Sequence, residues 1–286
     1  MNDWDWNFVR GKPVALRPIF GLLKPKVNIL GVDVAGNIEA VGENVTKFRP
    51  GDEVYGDLSA SGFGAFAEYV CAPQDALARK PSAMSFEEAA AIPHASMLAV
   101  QGLIDVGQIQ QGQKVLINGA GGGVGMFGIQ IAKLHGAEVT GVDSGHKADM
   151  LRGLGFDHVI DYRQEDFTQN GQRYDLILDA KTTRSPFSYA RSLNPNGTYV
   201  TVGGYLDRLL QAACAAPLIK AFSKKNIQIV ALKVNKDLSY INDLFEAGKL
   251  ECVIDGPFTL GEVPKAIQYF GDAKHKGKIV ITVANQ

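Results

Sequence analysis

Two textures of hydrophobic and polar positions follow one another along the chain. From Ile29 to about Ala78, short apolar stretches are broken by turn residues, with glycines at 31, 36, 42, 51, 56, 62 and 64. Ile38–Gly42 and Glu68–Cys71 read as strand ends, and Phe48–Gly56 carries a Pro-Gly-Asp turn leading into a strand. This pattern predicts a compact, turn-rich β unit. From Lys114 the rhythm changes. Lys114–Asn118, Glu138–Asp143, His158–Tyr162, Tyr174–Ala180, Thr198–Gly203 and Ile227–Leu232 are apolar, β-branched runs, most of them separated by helical stretches. Strands alternating with helices predict an α/β unit with a doubly wound parallel sheet, because parallel neighbours need crossover connections. Lys236–Gln286 then reads as helix, strand, helix and final strand. There is no internal repeat and no low-complexity linker.

Composition narrows the class. At roughly 100–200 residues per domain, 286 residues suggest two domains. A 46% hydrophobic and 21% charged composition is that of a soluble globular chain. A net charge of −1 gives no reason to expect a nucleic-acid partner, which usually calls for a basic excess or stripe. The densest basic stretch, Lys274, Lys276 and Lys278, is short and follows Asp272. It reads as a solvated face or a single phosphate contact. Cys71, Cys214 and Cys252 are odd in number and show no Cys-x-x-Cys spacing, which argues against a disulfide framework and a structural zinc site. No apolar run reaches the ~18 residues of a membrane helix, and the first residues lack a signal pattern. A cytoplasmic protein without nucleic-acid or membrane partners is expected.

The strongest local feature is Val115–Gly125, an apolar strand entering a glycine-rich turn and then a helix. Val124, Phe127, Ile131 and Leu134 fall on one helical face. Glycine suits such a turn because it accepts positive φ and lets backbone approach a pyrophosphate without a Cβ between them. The N–H groups and dipole of the helix N-terminus then favour phosphate charge. The spacing is Gly-x-x-Gly-x-x-Gly (Gly119, Gly122, Gly125) rather than Gly-x-Gly-x-x-Gly, and such a loop also serves close strand–helix packing. Asp143 ends the next strand, 18 residues past Gly125, where an acid binds ribose hydroxyls; a helix cap or turn role is its alternative.

Asn118–Gly125 with Ile129–Lys133, Ile29–Gly36, Phe48–Val54, Gly64–Val70 and Lys276–Val280 together resemble the quinone oxidoreductase-like branch of the zinc-free medium-chain dehydrogenases/reductases. The resemblance covers nearly the whole chain. It implies a GroES-like β domain on the substrate side (1–92), a Rossmann NAD(P)-binding domain (93–234) and a C-terminal segment returning to the substrate domain (235–286). In that family the active site is the cleft between the two domains. Carried onto this chain, the cofactor would be held by Gly119, Ala120, Gly122, Gly123, Val124, Asp143, Ser144, Lys147, Tyr162, Gly203, Gly204 and Lys278. Tyr162 also reads as a half-buried strand-end aromatic, and Lys278 as a surface lysine. Asn2 and Asp5 stand where the family lines its cleft and are weak substrate candidates. Asn2–Trp6 resembles an interior segment of the family, so the opening strands of the β domain are expected to be missing, leaving a partial GroES-like domain.

The cofactor signals oppose one another. An acid at the Asp143 position favours NADH by repelling a 2′-phosphate, whereas Lys147 and Tyr162 favour NADPH. Both remain open. Zinc enzymes of the superfamily show Gly-His-Glu where this chain has Gly31-Val32-Asp33, so no metal is expected. Leu98 stands near a family Thr that touches the cofactor, and His94, after Pro93, reads as a helix-start or packing residue. The implied reaction passes a hydride from NAD(P)H to a small electrophilic substrate, a quinone or an α,β-unsaturated carbonyl, with no assigned catalytic residue. A homodimer is left open. Two other functions remain: a nucleotide-binding regulatory or structural protein without catalysis, and an alcohol dehydrogenase-like activity.

Overall fold

The computed structural model describes residues 1–14, 17–21 and 23–283. The chain forms two compact units, one from Met1–Met97 together with the segment from Lys233 onward, the other from Leu98–Leu232.

The first unit opens with helix α1 (Asp3–Val9) and the short α2 (Arg17–Phe20). Strands β1 (Asp33–Asn37), β2 (Glu53–Asp57) and β3 (Ala78–Arg79) then form an antiparallel sheet in the order β1-β2-β3. Helix α3 (Phe86–Ala91) starts where Ser85 accepts from the Glu88 N–H while Glu88 accepts from the Ser85 N–H, two otherwise orphan donors satisfied at once. Helix α4 (Pro93–Val100) follows, with Pro at its first position, where the missing N–H costs nothing.

The second unit holds β4 (Lys114–Asn118), α5 (Gly123–Leu134), β5 (Glu138–Asp143), α6 (Ala148–Gly153), β6 (His158–Asp161), β7 (Tyr174–Asp179), α7 (Pro186–Arg191), β8 (Leu193–Thr201), α8 (Leu206–Ser223) and β9 (Asn226–Ile229). All six strands pair in parallel, in the order β6-β5-β4-β7-β8-β9. The order reverses at β4, where neighbouring connections leave toward opposite edges and open a crevice at the carboxyl ends of the strands. Leu116, Val142, Ile177 and Tyr199 are buried in the core beneath that edge.

The chain returns to the first unit as α9 (Leu238–Glu246), β10 (Ile254–Thr259), α10 (Val263–Gly271) and β11 (Lys278–Thr282), with β10 and β11 parallel. Met1, Ala266, Ile267 and Ile279 form a small core with Trp6 and Phe270 against it. Gly271 admits the Trp6 ring so closely that a Cβ there would stand 2.3 Å from it.

The six runs of the second unit and the order of the C-terminal elements agree with the sequence pattern, with borders shifted by a few residues. Thr198–Gly203 is the largest shift, since β8 begins five residues earlier and ends at Thr201. Two expectations fail. Ile38–Gly42 lies past the end of β1, although Ile38 still donates to Asp52 O and accepts from Gly51 N. Glu68–Cys71 forms no strand; Tyr69 is 74% exposed and nothing buries the segment's alternation. The α5 face is also broader than its period implied. Phe127 and Ile131 are buried together with Met126, Gly128 and Ile129, whereas Val124 is half-buried and Leu134 exposed.

Helix α5 meets the end of β4 through Gly125, whose position leaves no room for a Cβ: it would lie 2.3 Å from Ala120 O, a backbone atom that cannot rotate away. Overpacking a tight core costs about 1–3 kcal/mol and sometimes more. Gly125→Ala is expected to lose at least that much in denaturant unfolding, and unchanged stability would contradict this packing.

Candidate functional site

In the unit of Leu98–Leu232, the polar residues collect at the carboxyl edge of the sheet. Asp143, Asn118, Asp179 and Thr201 end β5, β4, β7 and β8, four neighbouring strands. The turn after β4 is pinned to β5 because Gly119 N and Ala120 N both donate to Val142 O, at 3.0 and 3.1 Å. Gly119 takes a φ of +86°, which L side chains rarely adopt. Gly122 caps α5 in extended conformation, without a side-chain cap, and the first turn carries no acidic residue. The first N–H groups of a helix lack intrahelical partners, so this end presents N–H donors and the positive end of the helix dipole.

Asp143 sits beside that turn. Its Oδ2 accepts from Gly121 N at 2.8 Å, and its Oδ1 accepts from Ser144 N at 2.8 Å and Ser144 Oγ at 3.1 Å. Lys147 Nζ lies 3.5 Å from the same Oδ1, and both side chains are nearly buried. Burial works to raise the Asp143 pKa, but the Lys147 charge and the N–H donors outweigh it and hold the carboxyl below its ordinary range. The Lys147 stem passes over Gly121, where a Cβ would come within 2.4 Å of Lys147 Cδ. Tyr162, just past β6, donates its N–H to Asp143 O and leaves its ring largely exposed, with the Arg163 guanidinium 5.8 Å from the ring centroid. Ala120 is buried, and Gly123 and Val124 are half-buried in the first turn of α5.

Gly203 and Gly204 follow β8. Gly203 O accepts from Thr201 Oγ1 and Thr182 Oγ1, and Gly204, at a φ of +129°, packs on Thr182 too closely for a Cβ. A hub between these parts had no sequence signal. Asp179 is fully buried, with Oδ1 accepting from Asn118 Nδ2, Lys181 N and Thr182 N, and Oδ2 from Tyr199 OH. It ties β4, β7, β8 and the Thr182 loop together; burial and the adjacent carboxylate push the Tyr199 phenol upward.

In the other unit, the expected residues are placed differently. Asp5 is fully buried and its oxygens accept from Asn2 N (2.8 Å) and Gly31 N (2.9 Å), so it frames the fold rather than lining a surface. Asn2 is buried too, with Nδ2 donating to Asp33 Oδ2 at 2.8 Å. Lys278, carried over as a cofactor residue, has a side chain only 3% exposed; its ammonium donates to Asp33 Oδ2 (2.8 Å) and Asn2 Oδ1 (2.7 Å). Burial costs Asp33 its charge less than Lys278 restores, and its pKa falls to about 2. His94 begins α4 as expected, and the structure adds what spacing could not. Its N–H donates to Asp33 Oδ1 at 2.9 Å, and its Nδ1 lies 2.7 Å from Oδ2 of the fully buried Asp57. Asn235 brackets the Asp57 backbone with bonds to both its N–H and its carbonyl. His94 thereby ties the start of α4 to both β1 and β2. Val32, standing where zinc enzymes carry a ligand, is buried core.

Comparison with known proteins places this geometry. The "Alcohol dehydrogenase GroES-like domain" family matches residues 1–82, and the "Zinc-binding dehydrogenase" family matches residues 154–281. The 2-methylene-furan-3-one reductase of Solanum lycopersicum is 32% identical over 90% of this chain and 64% of its own length. The chloroplastic NADPH-dependent alkenal/one oxidoreductase of Arabidopsis thaliana is 30% identical over 90% and 64%. The chain thus spans about two thirds, and slightly less, of these relatives. The quinone oxidoreductase structure from Coxiella burnetii superposes with a TM-score of 0.86 at 28% identity, covering 99% of this chain and 87% of that one. The chain belongs to the medium-chain dehydrogenase/reductase family, in its quinone oxidoreductase-like branch.

The Asp33–Lys278 pair has a measurable signature. Removing one partner of a buried pair costs about 3–5 kcal/mol, because the other charge is left unpaired. Lys278→Met is therefore expected to lose about that much at neutral pH in denaturant unfolding. Since the folded pKa of Asp33 lies below its unfolded value, its contribution is complete above about pH 4 and is lost as pH falls towards 2. The gap between wild type and variant should narrow over that window. A gap that stays constant or widens would contradict the assignment.

Proposed function

We propose that this chain is an NADPH-dependent oxidoreductase that reduces quinones or α,β-unsaturated carbonyl compounds without a metal ion. The observation that carries the reading is the Gly119–Gly125 turn, at the point where the strand order reverses, with the Asp143–Lys147 pair beside it. The residues fit a dinucleotide. The uncapped N-terminus of α5 offers N–H groups and a positive dipole end to a pyrophosphate, and the half-buried Gly123 keeps that approach free of a side chain. Gly203 has open space where a Cβ would stand, so backbone there is free to lie against a flat ring.

Asp143 would hold a ribose hydroxyl, and Lys147 cancels the charge with which Asp143 would otherwise repel a 2′-phosphate. Lys147, with Tyr162 and Arg163 just past β6, then favours NADPH over NADH. When bound, the nicotinamide supplies a hydride to the electron-poor acceptor. Quinones and enones need no Lewis acid for this, which agrees with the buried Val32 where a zinc ligand would stand. The substrate class is supported by the names of the tomato and Arabidopsis relatives, a 2-methylene-furan-3-one reductase and an alkenal/one oxidoreductase. The free cysteines suit a reducing compartment such as the cytosol.

Gly123→Val would set a branched side chain at the phosphate approach and should raise the NADPH dissociation constant well over tenfold in a folded protein. Lys147→Ala should weaken NADPH at least tenfold and NADH much less, since a charge-assisted bond contributes about 1.5–3 kcal/mol. Calorimetric titration of both variants with both nucleotides checks this. Equal losses for NADH and NADPH would refute the role given to Lys147, and unchanged affinity in Gly123→Val would refute the site.

The purified protein should oxidise NADPH with a quinone or enone panel, keep that activity in chelator, and hold less than stoichiometric zinc by elemental analysis. Loss of activity on chelation, restored by zinc, would favour an alcohol dehydrogenase. Tight NADPH binding with no turnover on any acceptor would favour a non-catalytic nucleotide-binding protein.

A further inference from the structure

Three segments of the Leu98–Leu232 unit meet at one side chain that no glycine motif or strand-end acid marks. Lys181 follows the end of β7 by two residues. Its N–H donates to Asp179 Oδ1 at 2.8 Å, which fixes its backbone to the buried hub. Its stem then lies along the first glycine of the turn after β4. A Cβ on Gly119 would stand 3.2 Å from Lys181 Cγ and 3.3 Å from Cε. The ammonium is one C–N bond, about 1.5 Å, further on. The Lys181 carbonyl oxygen faces the other glycine segment, 2.9 Å from where a Cβ on Gly204 would lie. Lys181 is thus packed between the two glycine segments of the proposed cofactor site, yet the residue is exposed.

The backbone that places it is strained. Thr182, the next residue, takes a φ of +44°. A β-branched residue rarely adopts positive φ, and such strain persists only where the surroundings over-determine it, most often at functional sites. The contacts that impose it are plain. The Thr182 N–H donates to Asp179 Oδ1 at 2.9 Å, and its buried hydroxyl bonds to Thr201 Oγ1 and Gly203 O. The turn held in this way carries Lys181 back across Gly119. Two lysine stems therefore cross the glycine turn, Lys147 over Gly121 and Lys181 over Gly119. They come from different segments, and the charge of each helps keep the Asp143 carboxyl ionised.

We propose that Lys181 binds the pyrophosphate of the dinucleotide, with a task distinct from that of Lys147. The assignment rests on the cofactor reading given above and adds to it a residue outside the glycine turn. Lys147 stands beside the acid that would hold a ribose, so it discriminates the 2′-phosphate. Lys181 lies on the turn between the two glycine segments, so it holds the phosphates that NADPH and NADH share. A lysine suits this place because its ammonium acts as a point charge on phosphate and needs no fixed fork geometry. Were Lys181 only a second counter-charge to Asp143, its loss would weaken NADPH by leaving the acid to repel the 2′-phosphate, and would spare NADH.

Lys181→Met keeps a stem over Gly119 and removes the charge. Fluorescence titration should then give dissociation constants raised roughly tenfold for NADPH and NADH alike, as expected for one charge-assisted contact. In competition against NADPH, ADP-ribose carries the pyrophosphate without a 2′-phosphate and should weaken by the same factor. 2′-AMP carries the 2′-phosphate without a pyrophosphate and should be unaffected. Lys181→Arg should restore most of the lost affinity, and the difference between wild type and Lys181→Met should shrink as salt is added. Identical affinities for wild type and Lys181→Met would overturn the assignment. So would a loss confined to NADPH and 2′-AMP, or an arginine variant as weak as the methionine one. Each of these leaves the dinucleotide site standing, whereas a wild-type chain that binds neither NADPH nor NADH would remove the site itself.

Discussion

The carboxyl edge of the parallel sheet depends on how closely α5 approaches the end of β4. That approach is set by backbone meeting backbone: Gly125 lies against Ala120 where no side chain fits. With the helix this near, Gly119 and Ala120 can both turn their N–H groups onto Val142 O, which binds the turn to the neighbouring strand. The binding of the turn to β5 brings Gly121 N to Asp143. One steric allowance therefore fixes the direction of the helix N-terminus, the place of the acid and the path of Lys147. N–H groups fixed by backbone contacts in this way have little to rearrange on meeting a ligand, which is what preorganised recognition requires.

The two units solve burial of charge in the same manner with different consequences. Asp143–Lys147 and Asp33–Lys278 are both nearly sealed from solvent, and in both the carboxyl is held below its ordinary range. Buried pairs add little net stability over apolar residues, but they penalise any arrangement in which one partner is missing. For Asp33 that penalty locks α4, through the His94 N–H, to β1 and to β11. For Asp143 it leaves a locally neutral spot beside an uncapped helix, suited to a phosphate whose charge the acid alone would repel. Asp179, also fully buried, is held by four donors: a side-chain amide, a phenol and two backbone N–H groups.

Legibility in the sequence followed the range of the interactions. The six strands and the glycine turn could be read because β-branched runs and glycine spacing are local signals, and the parallel sheet followed from the β-α alternation. Asp143 was marked by its place at a strand end 18 residues past Gly125, whereas Lys147 was marked only by the family resemblance. The pairing of Lys278 could not be read: its chemistry is decided by Asp33, 245 positions away, and a lysine in a basic stretch gives no local sign of burial. The same holds for His94, whose partner Asp57 lies on another element, and for Asp5, whose oxygens are consumed by backbone donors that no side-chain pattern announces. Glu68–Cys71 shows the converse error, an apolar alternation with nothing to bury it against.

Hydrogen–deuterium exchange with and without saturating NADPH tests the central claim most directly, because it reads the backbone N–H groups said to hold the cofactor. The account predicts slowed exchange confined to the turn and first turn of α5, residues 119–126, to the segment 143–147, and to the loop at 203–204. Saturation by NADPH with exchange unchanged across 119–126 would contradict it.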